Sequence, residues 1–213
     1  MEEKTREVIS NYSRREARVL VLTHLTGVVF ILLFGNIILQ QAQGLIQFTG
    51  VGVYILTFFG VFLASSTYHG VGSKKWKGRL KKLDHIAIYF FIAGSNTPYL
   101  LAVSDGTVGR IFLAVMWLLV LLGSLYKIKG WDMNPWISLL FYLFMGWLGV
   151  VTVYLLYPNI TNLTFYLVLI GGLFYTIGTY FFHHDHREWY HSVWHVFVLL
   201  GACTHFAALY YQL

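Results

Sequence analysis

Three histidines and one aspartate stand at the ends of apolar segments in this sequence, and ionisable groups at such places mark a functional site by default. His69 closes one segment in the run Ser65-Ser66-Thr67-Tyr68-His69, Asp84 opens the next, and His191 and His195 open the last. Residues four apart share a helix face, and the same spacing serves paired ligands in helical zinc sites. Three neutral imidazoles hold zinc with its fourth position free, and such a centre acidifies water and polarises a carbonyl. Asp84 is then the nearby base. Ser65, one turn before His69, is placed to hold the water or a neighbour of the ligand.

Each residue also has a plainer explanation. His191 and His195 suit interfacial histidines bonded to loop carbonyls. Ser65 suits ordinary packing between membrane helices, where small hydroxylated residues are common. Asp84 suits a charge favoured by a helix N-terminus. The combination shifts the balance toward a metal. Structural zinc sites usually close their coordination, often with cysteines. The single cysteine, Cys203, lies within an apolar segment and reads as a small buried hydrophobe. The ligand set therefore leans toward a catalytic metal, with a structural one left open. Zinc suits three imidazoles well, and iron and manganese stay open.

These residues must be held by membrane helices. The chain has 213 residues, 57% hydrophobic and 11% charged, with a mean hydropathy of +0.63. Seven apolar segments follow one another, at 19–39, 48–69, 84–103, 108–126, 135–157, 162–182 and 191–211. Each is about the 20 residues needed to cross a hydrocarbon core. The short connections predict one domain over 1–213, an all-α seven-helix bundle with a charged tail at 1–18. That tail is followed by a segment too long for a signal-peptide core, so the first segment is expected to stay as a helix.

The charge pattern sets the sides. Of the 15 Lys and Arg residues, only Arg110 falls on one face, while the tail and the loops after segments two, four and six carry the rest. The rich face is cytoplasmic by the positive-inside rule, which puts the N-terminus inside and the C-terminus outside. Topology and anionic lipid account for the net charge of +6 better than nucleic acid does. His69, Asp84, His191 and His195 then all lie near the cytoplasmic end. A cell-membrane, multi-pass location and lipid partners follow; the oligomeric state does not.

Other polar residues are weaker candidates. His24 and His205 suit interhelical hydrogen bonds, with a proton or substrate path as the alternative. His205 lies 14 residues after His191, about 21 Å along a helix axis, too far to share a metal. Glu16 among Arg14, Arg15 and Arg18 suits a surface ion pair. The run His183-His184-Asp185-His186 suits a solvated loop or an accessory metal site. Pro98 predicts a kink, with Asn96 and Thr97 able to satisfy freed carbonyls.

The sequence resembles the hemolysin III family, within the superfamily of progestin and adipoQ receptors and, more distantly, alkaline ceramidases. The likeness runs through Thr23-His24, Ser65-x-x-x-His69, Leu83-Asp84-His85, Ala93-Gly94, Thr97-Pro98 and His191-x-x-x-His195 with His205 beyond. It implies zinc on His69, His191 and His195, with Asp84 and Ser65 beside the metal's water. It further implies hydrolysis of a lipid amide such as ceramide, or the haemolytic activity for which bacterial members are named. Leu20 and Ser95-Asn96 depart from the family pattern without touching a ligand. Three functions follow: a membrane zinc hydrolase of a lipid amide or ester, a pore-forming cytolysin, and a regulator of membrane lipid state. Seven spans from the start fit a resident membrane protein better than a secreted toxin. An inside N-terminus is opposite to that of G-protein-coupled receptors. No repeat or pair of broken helices points to a transporter.

Overall fold

A computed structural model describes residues 13–102, 107–129, 135–157 and 159–213. Among these, seven helices and no strand occur: α1 (Arg14–Gln41), α2 (Gly44–Gly70), α3 (Lys74–Ala102), α4 (Thr107–Ile128), α5 (Pro135–Leu155), α6 (Asn162–His183) and α7 (Tyr190–Gln212). Each coincides with one apolar segment. Six are long and apolar enough to cross a membrane; α3 is the seventh, its first turns filled with basic residues. The bundle is apolar outside and carries polar groups buried within a largely apolar core. Leu22, Leu32, Leu33, Leu56 and Leu140 are exposed, while His24, Ser65, Asp84 and His195 are buried. That arrangement suits a lipid surround, since buried polar groups find partners between helices and apolar side chains face hydrocarbon.

Two boundaries differ from expectation. The basic run from Lys74 to Lys82 is helical rather than a loop, because lysine and arginine are good helix formers even without an apolar stripe. Asp84 is therefore about 15 Å inside α3, and the helix-terminus explanation for its charge fails. The basic turns are tied down locally: Lys77 Nζ lies 5.1 Å above the Tyr68 ring, and Lys82 Nζ donates to the Ile128 carbonyl at 3.3 Å. Partial burial lowers the Lys77 pKa below the usual ammonium range. The tail likewise becomes helical at Arg14, capped by Ser13, whose Oγ accepts from Glu16 N–H. Lys4 and Arg6 lie outside the described residues.

Close helix approaches set the register of the site. A Cβ on Gly94 of α3 would sit 2.8 Å from Thr57 Cβ of α2. A Cβ on Gly27 of α1 would sit 2.6 Å from Phe62 Cγ of α2. Small residues at these crossings let backbones approach closely, as membrane helix packing favours. Helix α1 packs on both α2 and α7. Pro98 leaves the Gly94 carbonyl without its usual N–H partner. Asn96 and Thr97 do not turn to it; they donate to Ile92 and Ala93 carbonyls at 2.8 and 2.9 Å.

Candidate metal centre

The last turn of α2 and the first two turns of α7 meet at three imidazoles. His69, His191 and His195 are all buried, and one nitrogen from each lies within 4.8 Å of the others. Ring centroids stand 5.4 Å apart for His69–His191, 5.0 Å for His69–His195 and 4.6 Å for His191–His195. The buried Nε2 of His195 has no hydrogen-bond partner among the described residues. A tetrahedral ion with metal–nitrogen bonds of about 2.0–2.1 Å separates its ligand atoms by roughly 3.3 Å. Small side-chain rotations close the difference, so the donor set fits a divalent ion of the zinc type.

A hydrogen bond from α1 fixes where α7 begins. Trp189, just before the helix, adopts the left-handed conformation with φ 68°. Its N–H donates to Glu16 Oε1 at 3.1 Å, across 173 residues of sequence. Glu16 is buried rather than part of a surface ion pair, because it lies on the inward stripe of α1 with Leu20 and His24. His191 follows Trp189 by two residues, and its Nδ1 lies 3.6 Å from Asp185 Oδ2. Asp185 thus reaches the cluster through His191, and His183 and His186 line the cavity beside it. His184 Nδ1 instead meets the Tyr180 carbonyl at 2.8 Å, and His183 packs on Trp136.

The two other residues expected at the site are brought to it. Asp84 is buried, with Ser65 within hydrogen-bonding reach and Lys81 as its charged neighbour. Ser65 Oγ is also 2.9 Å from His24 Nε2. The same His24 nitrogen is hydrogen-bonded to His195 Nδ1. The interhelical hydrogen bonding expected of His24 is found, and His24 joins α1, α2 and α7 at the cluster. Its burial spacing with Glu16 and Leu20 is the sequence signal that pointed inward. His205 stays away from the cluster, with Nε2 3.3 Å from the Val168 carbonyl of α6.

A cavity of about 1140 Å³ opens beside these groups. Asp84, His191 and His195 line one end, and Tyr99, Val168 and His205 line the interior toward mid-bundle. It exceeds the roughly 300–1,000 Å³ of typical small-molecule sites. Its length follows α7: His195 to His205 spans ten residues, about 15 Å along the axis.

These features define a multi-pass helical membrane protein with a buried three-histidine cluster compatible with metal binding. Residues 12–206 match the family model described as Haemolysin-III related. The chain is similar to the "Hemolysin-3 homolog" of Bacillus subtilis (strain 168), 36% identical over 90% of this chain and 88% of that one. It is 38% identical to the "Hemolysin-3" of Bacillus cereus over 81% of this chain and 78% of that one. It is 30% identical to the human "Monocyte to macrophage differentiation factor" over 74% of this chain and 68% of that one. No solved structure gives a significant match. The chain belongs to the haemolysin-III-related family.

Proposed function

We propose that this protein is a zinc-dependent hydrolase of a lipid amide or ester, ceramide-like in its acyl chain, working near the cytoplasmic face. His69, His191 and His195 would hold the metal. Zinc bound there supplies Lewis-acid chemistry, acidifying water and polarising a carbonyl. Asp84 takes a proton from the attacking water, whose oxygen bonds to the acyl carbon. The same carboxyl then returns a proton to the departing nitrogen or oxygen, giving a fatty acid and an amine or alcohol. Ser65, within reach of Asp84, orients that carboxyl. The acyl chain lies in the cavity, away from water.

The observation that carries this reading is the juxtaposition of a buried carboxylate, the histidine cluster and a long cavity in a membrane bundle. An Asp84→Asn protein should keep its metal and lose hydrolysis by about 100-fold or more, the scale of one acid–base group. Undiminished hydrolysis of a fluorescent ceramide by metal-loaded Asp84→Asn protein removes Asp84 from the mechanism.

A second reading, membrane permeabilisation, rests on the names of the two Bacillus relatives. Dye release from liposomes by purified protein supports it. Equal leakage from His191→Ala protein detaches that release from the metal.

A further inference from the structure

We infer that His24 is a positioning residue for the metal site, resting on the reading of His69, His191 and His195 as ligands. Its Nε2 accepts the Nδ1 proton of His195 and so holds His195 in the tautomer that leaves its Nε2 lone pair free for a metal.

The hydrogen bond between His24 Nε2 and His195 Nδ1 needs one proton between two ring nitrogens, and a neutral imidazole carries a single proton on one nitrogen or the other. If His24 donates, His195 bears its proton on Nε2 and has no lone pair for a metal. If His195 donates, its Nε2 is a bare acceptor. That Nε2 is a buried atom without a hydrogen-bond partner, and His195 is one of the three histidines of the cluster. Only the second arrangement makes His195 a ligand. Metal-binding histidines generally give their other N–H to a fixed acceptor, which sets tautomer and ring orientation. Here the acceptor is an imidazole from a different helix.

The fold holds that acceptor still. His24 is 3% exposed. Its ring stands edge-on to His195 with centroids 4.2 Å apart, and 5.4 Å from Phe62. Gly27, one turn on, lets α1 settle against Phe62, and α1 packs on both α2 and α7. Ser65 Oγ lies 2.9 Å from the same His24 nitrogen and packs against the ring from the α2 side. His24 therefore couples the α7 ligand to the α2 wall without being a ligand itself.

The test compares zinc affinity, by chelator competition in detergent, for wild type, His24→Phe and His24→Gln. Phenylalanine keeps a ring but removes the acceptor; glutamine restores a side-chain oxygen. The expected result is a loss of about 10–100-fold in His24→Phe, the usual effect of removing such a partner, with substantial recovery in His24→Gln. Wild-type affinity in His24→Phe, or glutamine no better than phenylalanine, overturns the inference. A measurement on the unmodified protein guards against misfolded variants: nitrogen NMR of zinc-loaded, ¹⁵N-histidine-labelled protein should show His195 protonated on Nδ1. Protonation on Nε2 overturns the inference. Wild-type protein that takes up no zinc overturns both this inference and the function proposed above, whereas zinc uptake unaffected by His24→Phe overturns this one alone.

Discussion

Replacing Glu16 with alanine tests whether α1 sets the start of α7. Glu16 Oε1 accepts the N–H of Trp189 at 3.1 Å, and a hydrogen bond to a charged group contributes about 1.5–3 kcal/mol net. Trp189 holds φ 68°, a left-handed conformation that costs a non-glycine residue about 1–2 kcal/mol. The bond and the strain are of similar size, so the bond is what keeps Trp189 there. Without it, the chain can relax to a right-handed turn and carry His191, two residues on, out of register with His69. Glu16→Ala should therefore lose about 1.5–3 kcal/mol of stability and weaken zinc binding as well. Trp189→Gly removes the left-handed cost and leaves no strain to recover, so Glu16→Ala should do about 1 kcal/mol more harm in that background, a coupling read by a double-mutant cycle. The assays are equilibrium unfolding in mixed micelles and chelator competition. A Glu16→Ala protein within about 0.5 kcal/mol of wild type, the scatter of neutral surface changes, with unaltered zinc affinity, would refute the reasoning.

Two further substitutions probe the cavity and the outer half of the bundle. Gly146 lines the cavity and a Cβ there meets nothing within 4 Å, so Gly146→Phe should project into the space for the acyl chain. Lipid hydrolysis should fall by about tenfold or more, an effect of roughly 1.4 kcal/mol, with metal content unchanged in the same preparation. A Cβ on Gly171 would sit 2.5 Å from His205 Nε2, so Gly171→Ala should destabilise the α6–α7 contact by about 1–3 kcal/mol in unfolding measurements while leaving zinc affinity intact.

Much of this arrangement was legible in the sequence, and the parts that were not have physical reasons. Hydropathy located all seven helices because the lipid-facing side chains of a membrane bundle must be apolar. The parity of the spans, read from the basic residues, brought His69, Asp84, His191 and His195 to one end, and the three histidines do converge. The start of α3 was misjudged because a lysine-rich helix outside the core has no apolar period to read. His24 was read as making interhelical hydrogen bonds and does, but its partners, Ser65 and His195, lie 41 and 171 residues away and could not be named from the sequence. Glu16 was misread because its arginine neighbours suggested a surface pair. Its spacing of four from Leu20 and eight from His24, all buried, was the periodic signal that placed it inward.

The central claim is that the three histidines hold one metal ion. It is tested most directly by elemental mass spectrometry of gently purified protein, alongside His191→Ala and His195→Ala. The expected result is about one zinc per chain in wild type, the content of a mononuclear site, and its loss in both variants. Folded wild-type protein with no stoichiometric metal, or variants that keep it, would contradict the account.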